Sequence, residues 1–115
     1  MAQARGSTNR WSSQRLRKLM DRLRLEALLL RRSANFAWYT GGADNRVDHA
    51  SPFGVADVLL TRDAQYIFTN NIEAPRMREE QTSTFEVIEH SWHGDEVRAI
   101  REVVGDASLG ADFPL

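Results

Sequence analysis

Cysteine is missing altogether from the 115 residues, which removes disulfides, thiolate nucleophiles and cysteine-based zinc sites together. Long apolar runs are missing too. A membrane-spanning helix needs ~20 consecutive apolar residues, whereas the longest run here, Leu25 to Leu30, is interrupted by Glu26. The opening stretch, Met1 to Ser13, has no apolar core of the kind a secretory signal carries, and a cytoplasmic location fits this. Gly-x-Ser-x-Gly, Gly-Lys-Ser/Thr and Gly-x-Gly-x-x-Gly patterns do not occur, so serine-hydrolase, P-loop and dinucleotide readings have no footing. Lysine is nearly absent, since fourteen of the fifteen basic residues are arginine.

What is present suits one soluble globular domain. Apolar residues make up 42% and charged residues 27%, an ordinary balance for a packed domain. A chain of this length buries roughly two thirds of its unfolded surface. Residues 1–12 are expected to be a tail and residues 13–115 the domain. The charge is uneven: residues 1–32 carry +7 and the remainder −8. That asymmetry permits contact with nucleic acid, although a solvated helix face is the favoured reading and makes nucleic acid an unfavoured partner.

Periodicity places the elements. Ser12 or Ser13 is the expected N-cap of a first helix, with Leu16, Leu19, Met20 and Leu23 as its buried stripe. Leu25 to Leu30 reads as a buried strand. Gly54 to Thr61 and Gln65 to Thr69 are two strands joined by Arg62-Asp63-Ala64, a link short enough to require an antiparallel hairpin. Asn70 or Asn71 caps a helix from about Ile72 to Gln81, with Pro75 in its first turn. A fourth strand, Phe85 to Ser91, follows. Gly94-Asp95 starts a helix with Val97, Ile100, Val103 and Val104 on one face, which Gly105 stops. A fifth strand covers Ala107 to Gly110. Apolar Phe113 and Leu115 directly after a strand predict a chain that continues. The pattern gives an α/β three-layer domain around a mixed, mostly five-stranded sheet.

The organising stretch is Asn35-Phe36-Ala37-Trp38-Tyr39-Thr40-Gly41-Gly42. Asn35 is a candidate cap of a short helical turn, the three aromatics demand burial, and the glycine pair permits positive φ. Asn35, Tyr39, Thr40, Gly41 and Gly42 resemble the Asn, Tyr and Thr-Gly pattern of the creatinase/prolidase N-terminal domain, which precedes the pita-bread catalytic domain in M24 metallopeptidases such as Xaa-Pro aminopeptidases and dipeptidases. Here three residues separate Asn35 from Tyr39, and Tyr39 abuts Thr40; the family usually has two, followed by Leu-Thr-Gly. It also commonly ends the first helix with Gly, where this chain has Arg24.

The resemblance implies a ribonuclease H-like fold and a non-catalytic role within a metal-dependent peptidase. It implies that two divalent metal ions are bound by two Asp, one His and two Glu of the catalytic domain, none of them in this chain. It also implies a homodimer in which this domain borders the partner's peptide-binding cleft. The border is expected in the polar loop Ala43 to Phe53, with Asp44, Asn45, Arg46, Asp48 and His49 as the residues and Arg46 as the partner of a substrate carboxylate. No catalytic or metal-binding residue is expected in the chain itself. Two other constellations carry less: His90-x-x-His93 as a metal pair, and Asp57, Glu86, Glu89 and Asp112 as a nuclease-like carboxylate set. The alternative class is a stand-alone module binding nucleic acid or protein through the arginine-rich first helix.

Overall fold

The structure, a computed structural model, describes residues 2–47, 50–82 and 84–114, with side chains from residue 10 onward. Helix α1 spans Ala2–Leu23, followed by β1 (Ala27–Arg32), α2 (Ser33–Thr40), β2 (Phe53–Thr61) and β3 (Gln65–Asn70). A short helix α3 (Ala74–Arg76) passes into a π-helical turn, Met77–Gln81, and then come β4 (Glu86–His90), α4 (Glu96–Val104) and β5 (Leu109–Ala111).

The five strands form one sheet in the order β4-β3-β2-β1-β5. The β2–β3 hairpin is antiparallel, as its short link requires, and β1 pairs antiparallel with β2. The crossovers give the parallel pairs, β3 with β4 and β1 with β5. Both faces are buried, because alternate residues of β1 enter two separate cores. Leu28 and Leu30 join Met20, Phe36, Tyr39 and Met77 on the α1–α2 side. Ala27 and Leu29 join Leu59, Phe68 and Ile100 under α4. The expected α/β three-layer domain with a mixed five-stranded sheet is therefore found.

Several local expectations are corrected. Helix α1 begins at Ala2 instead of at a serine cap, and Ser12 and Ser13 are buried within it. Ser13 Oγ donates to Arg10 O at 2.9 Å, a bond back along its own helix. The stripe is also narrower than its spacing suggests: Met20 is fully buried and Leu16 packs on the core, but Leu19 and Leu23 stay exposed. At the end of α1, Arg24 adopts a left-handed φ of 58°. Arg24 N bonds Asp21 O at 3.2 Å and Leu25 N bonds Met20 O at 2.8 Å, the paired closure of a Schellman motif. Arginine thus occupies a conformation that glycine takes without steric cost.

The remaining corrections concern boundaries. Strand β1 starts at Ala27, two residues later than its apolar run, and β5 starts at Leu109. The helix expected over Ile72 to Gln81 is mostly the π turn, although Asn70 caps its approach by accepting from Ile72 N and Glu73 N, each at 2.9 Å. Asn71 instead accepts from Trp92 N at 2.8 Å. Asp95 caps α4 by accepting from Arg98 N. Only Ile100 of the α4 stripe is fully buried; Val97 and Val103 are exposed.

Candidate functional site

The corner and the loop after it form one construction. Helix α2 buries Phe36, Tyr39 and Thr40. The Tyr39 hydroxyl donates to Gln65 Oε1 at 2.5 Å, tying the corner to the start of β3. Thr40 Oγ1 donates to Phe36 O at 2.8 Å and accepts from Ala43 N at 3.0 Å. Gly41 ends the helix at φ 80° and Gly42 follows at φ 112°, a reversal that a β-carbon would strain. Asn35 is not the cap. It lies inside α2, and its Nδ2 donates to Asp112 Oδ2 at 2.9 Å, from the far end of the chain.

In the loop, Asn45 is the anchor. It is fully buried, its Nδ2 donates to Arg31 O at 2.9 Å and Ala56 O at 2.8 Å, and its own carbonyl accepts from Val55 N. Its side chain occupies the space beside Gly54: a β-carbon there would stand 2.1 Å from Asn45 Cγ and 2.4 Å from Asn45 O. Glycine is required by that approach. Gly54→Ala is expected to destabilise by about 3 kcal/mol, the upper part of the overpacking range, read as a lowered midpoint in urea. An unchanged midpoint would mean that Asn45 can leave its pocket freely.

Asp44 and Arg46 flank the anchor and pair with each other. Asp44 Oδ1 accepts from Arg46 N at 2.8 Å and from Arg46 Nε at 3.0 Å, so the carboxylate closes a local Asx-type turn. Asp44 N donates to Gln81 Oε1 at 2.9 Å, fastening the loop to the π turn. Arg46 remains 40% exposed. Asp48 and His49 lie outside the described residues. Of the loop set, then, the structure brings Asp44, Asn45 and Arg46 together, with Asn45 as an internal support and Arg46 as the outward-facing cation.

A second cluster lies on the α4 face of the sheet, around Arg31. The β1–β2 register shifts between Leu30 and Arg32, and the Arg31 guanidinium grips Asp57 with two bonds, Nε to Oδ1 at 2.7 Å and Nη2 to Oδ2 at 3.0 Å. Nη2 also meets Glu96 in the first turn of α4. The guanidinium sits over the Phe113 ring at 3.7 Å. Asp112 accepts from the backbone N–H groups of Arg31 at 2.7 Å and Arg32 at 3.0 Å. Burial pushes the Asp57 carboxyl up to about 6; Arg31 pulls in the opposite direction, while Glu96 and Asp112 reinforce the rise. Desolvation of a nearly inaccessible carboxylate outweighs its cation.

This geometry disposes of the nuclease-like set. Asp57 and Asp112 are both committed to the Arg31 cluster, whereas Glu86 and Glu89 lie on the opposite edge strand, where Glu89 pairs with Arg78 at 2.9 Å. His90 stacks on Phe68 with ring centroids 4.9 Å apart, and His93 hydrogen-bonds Ser91 Oγ. Among the described residues no group of three or more His, Asp or Glu could hold a metal ion, and no helix is long and apolar enough to cross a membrane. Sequence reasoning missed the Arg31 cluster and the Asn45–Gly54 contact. The only signal for the first was a charge, Asp57, inside an otherwise apolar strand.

The fold has solved counterparts. The creatinase/prolidase N-terminal domain of an X-Pro dipeptidase from Streptococcus pyogenes superposes with a TM-score of 0.61 at 18% identity, covering 89% of this chain and 76% of that one. A prolidase from Pyrococcus horikoshii gives 0.64 at 17% identity, and an Xaa-Pro dipeptidase from Bacillus anthracis 0.63 at 16%. Each of those two covers 90% of this chain, which spans only 26% of their length. No curated protein matches the sequence. The family model described as the Creatinase/Prolidase N-terminal domain matches residues 13–113, and the chain, with its α2 corner and five-stranded mixed sheet, belongs to that family.

Proposed function

We propose that this chain serves as the non-catalytic N-terminal domain of a metal-dependent Xaa-Pro peptidase, where it pairs subunits and borders the substrate cleft of the partner. The observation that carries the proposal is the family match over residues 13–113, together with fold neighbours described as prolidases and Xaa-Pro dipeptidases. In this reading hydrolysis belongs to the catalytic domain of that peptidase.

Within that role, Arg46 is the residue proposed to meet substrate. The Asn45 anchor fixes the loop from beneath, while Asp44 holds Arg46 Nε and orients the exposed guanidinium. A guanidinium so placed can take a peptide carboxylate with its remaining donors. In the dimeric peptidase carrying this domain, Arg46→Ala is expected to raise KM for short peptides several-fold with little change in kcat, the pattern of a lost binding contact. Unchanged kcat and KM would remove Arg46 from the cleft.

A further inference from the structure

We propose that the trough between α1, α2 and β5 is a docking site for an amphipathic helix whose apolar face is flanked by carboxylates. This goes beyond the peptidase reading and does not depend on it.

The trough exists because α1 keeps part of its apolar stripe out of the core. Leu19 and Leu23 are 39% and 56% exposed, and Trp11 and Trp38 are 52% and 38% exposed. Two depressions adjoin there. One, of about 540 Å³, is lined by Trp11, Arg15, Lys18, Arg22 and Trp38. The other, of about 460 Å³, has Leu23, Leu28 and Leu30 among its lining and Gly110 to Asp112 along the β5 side. Leu16, Leu19 and Trp38 line both, so the two depressions adjoin as one channel-like trough along α1. From Trp11 to Leu23 it extends about 18 Å, the length of three or so helical turns. A helix laid in such a groove presents anchors at i, i+3, i+4 and i+7.

Charge selects the occupant. Arg10, Arg15, Lys18, Arg22 and Arg24 are the cations whose side chains find no anionic or carbonyl acceptor among the described residues, and all lie on α1 or directly after it. The described cations elsewhere are committed: Arg31 to Asp57 and Glu96, Arg62 to Asp21, Arg76 to Glu73, Arg78 to Glu89 and Arg98 to Glu102, with Arg32, Arg46 and Arg101 also bonded. Among the described side chains of α1, only the Arg17 guanidinium is taken by carbonyls, those of Thr61 and Ala64. Three of the unmatched cations, Arg15, Lys18 and Arg22, rim the channel. An apolar floor beside an unmatched cationic rim is complementary to leucine-like anchors flanked by Glu or Asp.

Two other anionic partners fit less well. Single-stranded nucleic acid stacks its bases on open aromatic faces, but Arg15 already sits over the Trp11 ring at 4.8 Å and Trp38 meets it edge-on at 6.2 Å. The leucine floor offers nothing to a sugar-phosphate chain. A bilayer surface needs a protruding apolar face, and this one is concave.

Calorimetry on the intact chain tests the proposal with a capped helical peptide of about four turns, carrying Leu at i, i+3, i+4 and i+7 with Glu beside them. The expected result is saturation at one peptide per chain, with affinity that falls as salt is raised. Leu23→Asp should abolish binding, and Lys18→Glu with Arg22→Glu should weaken it about tenfold. These side chains are exposed, and circular dichroism verifies that each variant folds. No saturation by the Glu peptide would overturn the proposal. So would equal binding of the same peptide with Lys in place of Glu, or tighter binding of oligo-dT or of phosphatidylglycerol vesicles.

Discussion

Replacing Arg31 with alanine is expected to destabilise the domain by about 3 kcal/mol at pH 7, at the lower end of the range for stripping one partner from a buried ion pair. The lower end applies because the guanidinium keeps 20% of its side-chain surface in water, while Asp57 keeps only 2%. Arg31 also joins three parts of the chain: β2 through Asp57, α4 through Glu96, and the residues after β5 through Phe113. Its loss therefore leaves a buried carboxylate alone and removes one tie each of α4 and Phe113 to the sheet.

The effect should depend on pH in a defined direction. In the folded wild type the Asp57 carboxyl titrates at about 6, above its ordinary 3.8. The folded state therefore holds the proton more tightly than the unfolded state does. The stability this confers is fully present below about pH 4 and is lost as pH rises through 6. Without Arg31 the carboxyl rises further, so the penalty should be large at pH 7 and small at pH 5. Urea midpoints at the two pH values measure this, and adding Asp57→Asn should recover part of the loss at pH 7. A penalty independent of pH, with no recovery in the double variant, would show that Arg31 acts by packing alone.

Tyr39→Ala is expected to cost about 3–5 kcal/mol, the range for emptying a buried aromatic site. Tyr39 is among the largest fully buried side chains, and its ring lies 6.3 Å from Phe85 and 6.4 Å from Trp38. Tyr39→Phe keeps the ring and loses the hydroxyl bond to Gln65, for about 1 kcal/mol. The two variants separate packing from hydrogen bonding in one denaturation series. Equal losses would place the whole contribution in the hydroxyl.

The family resemblance, carried by Asn35, Tyr39, Thr40, Gly41 and Gly42, was legible because these residues have local reasons to be where they are. The glycines turn the chain, Thr40 bonds within its own turn, and Tyr39 needs burial wherever it occurs. Asn35 was legible as a position but not as a role. Capping is judged from neighbours in sequence, whereas its partner, Asp112, is 77 residues away. The loop site was legible in the same partial way. The cluster of Asp44, Asn45 and Arg46 stood out as polar, yet burial of Asn45 against Gly54 depends on β2 returning beside the loop.

By itself, the amino-acid order determined the alternation of helix and strand, the β2–β3 hairpin, helix starts close to Asn70 and Asp95, and the stop at Gly105. Each rests on contacts within a few residues. Tertiary structure alone decided which apolar residues of α1 are buried. Leu16, Leu19, Met20 and Leu23 share one period, but only Met20 is fully buried, while Leu19 and Leu23 stay exposed beside the short edge strand β5. It also decided that Asp57 faces Arg31 instead of a metal ion. Side chains from β1, β2 and α4 converge there only after the sheet has formed, and a spacing rule within one segment carries no information about that meeting.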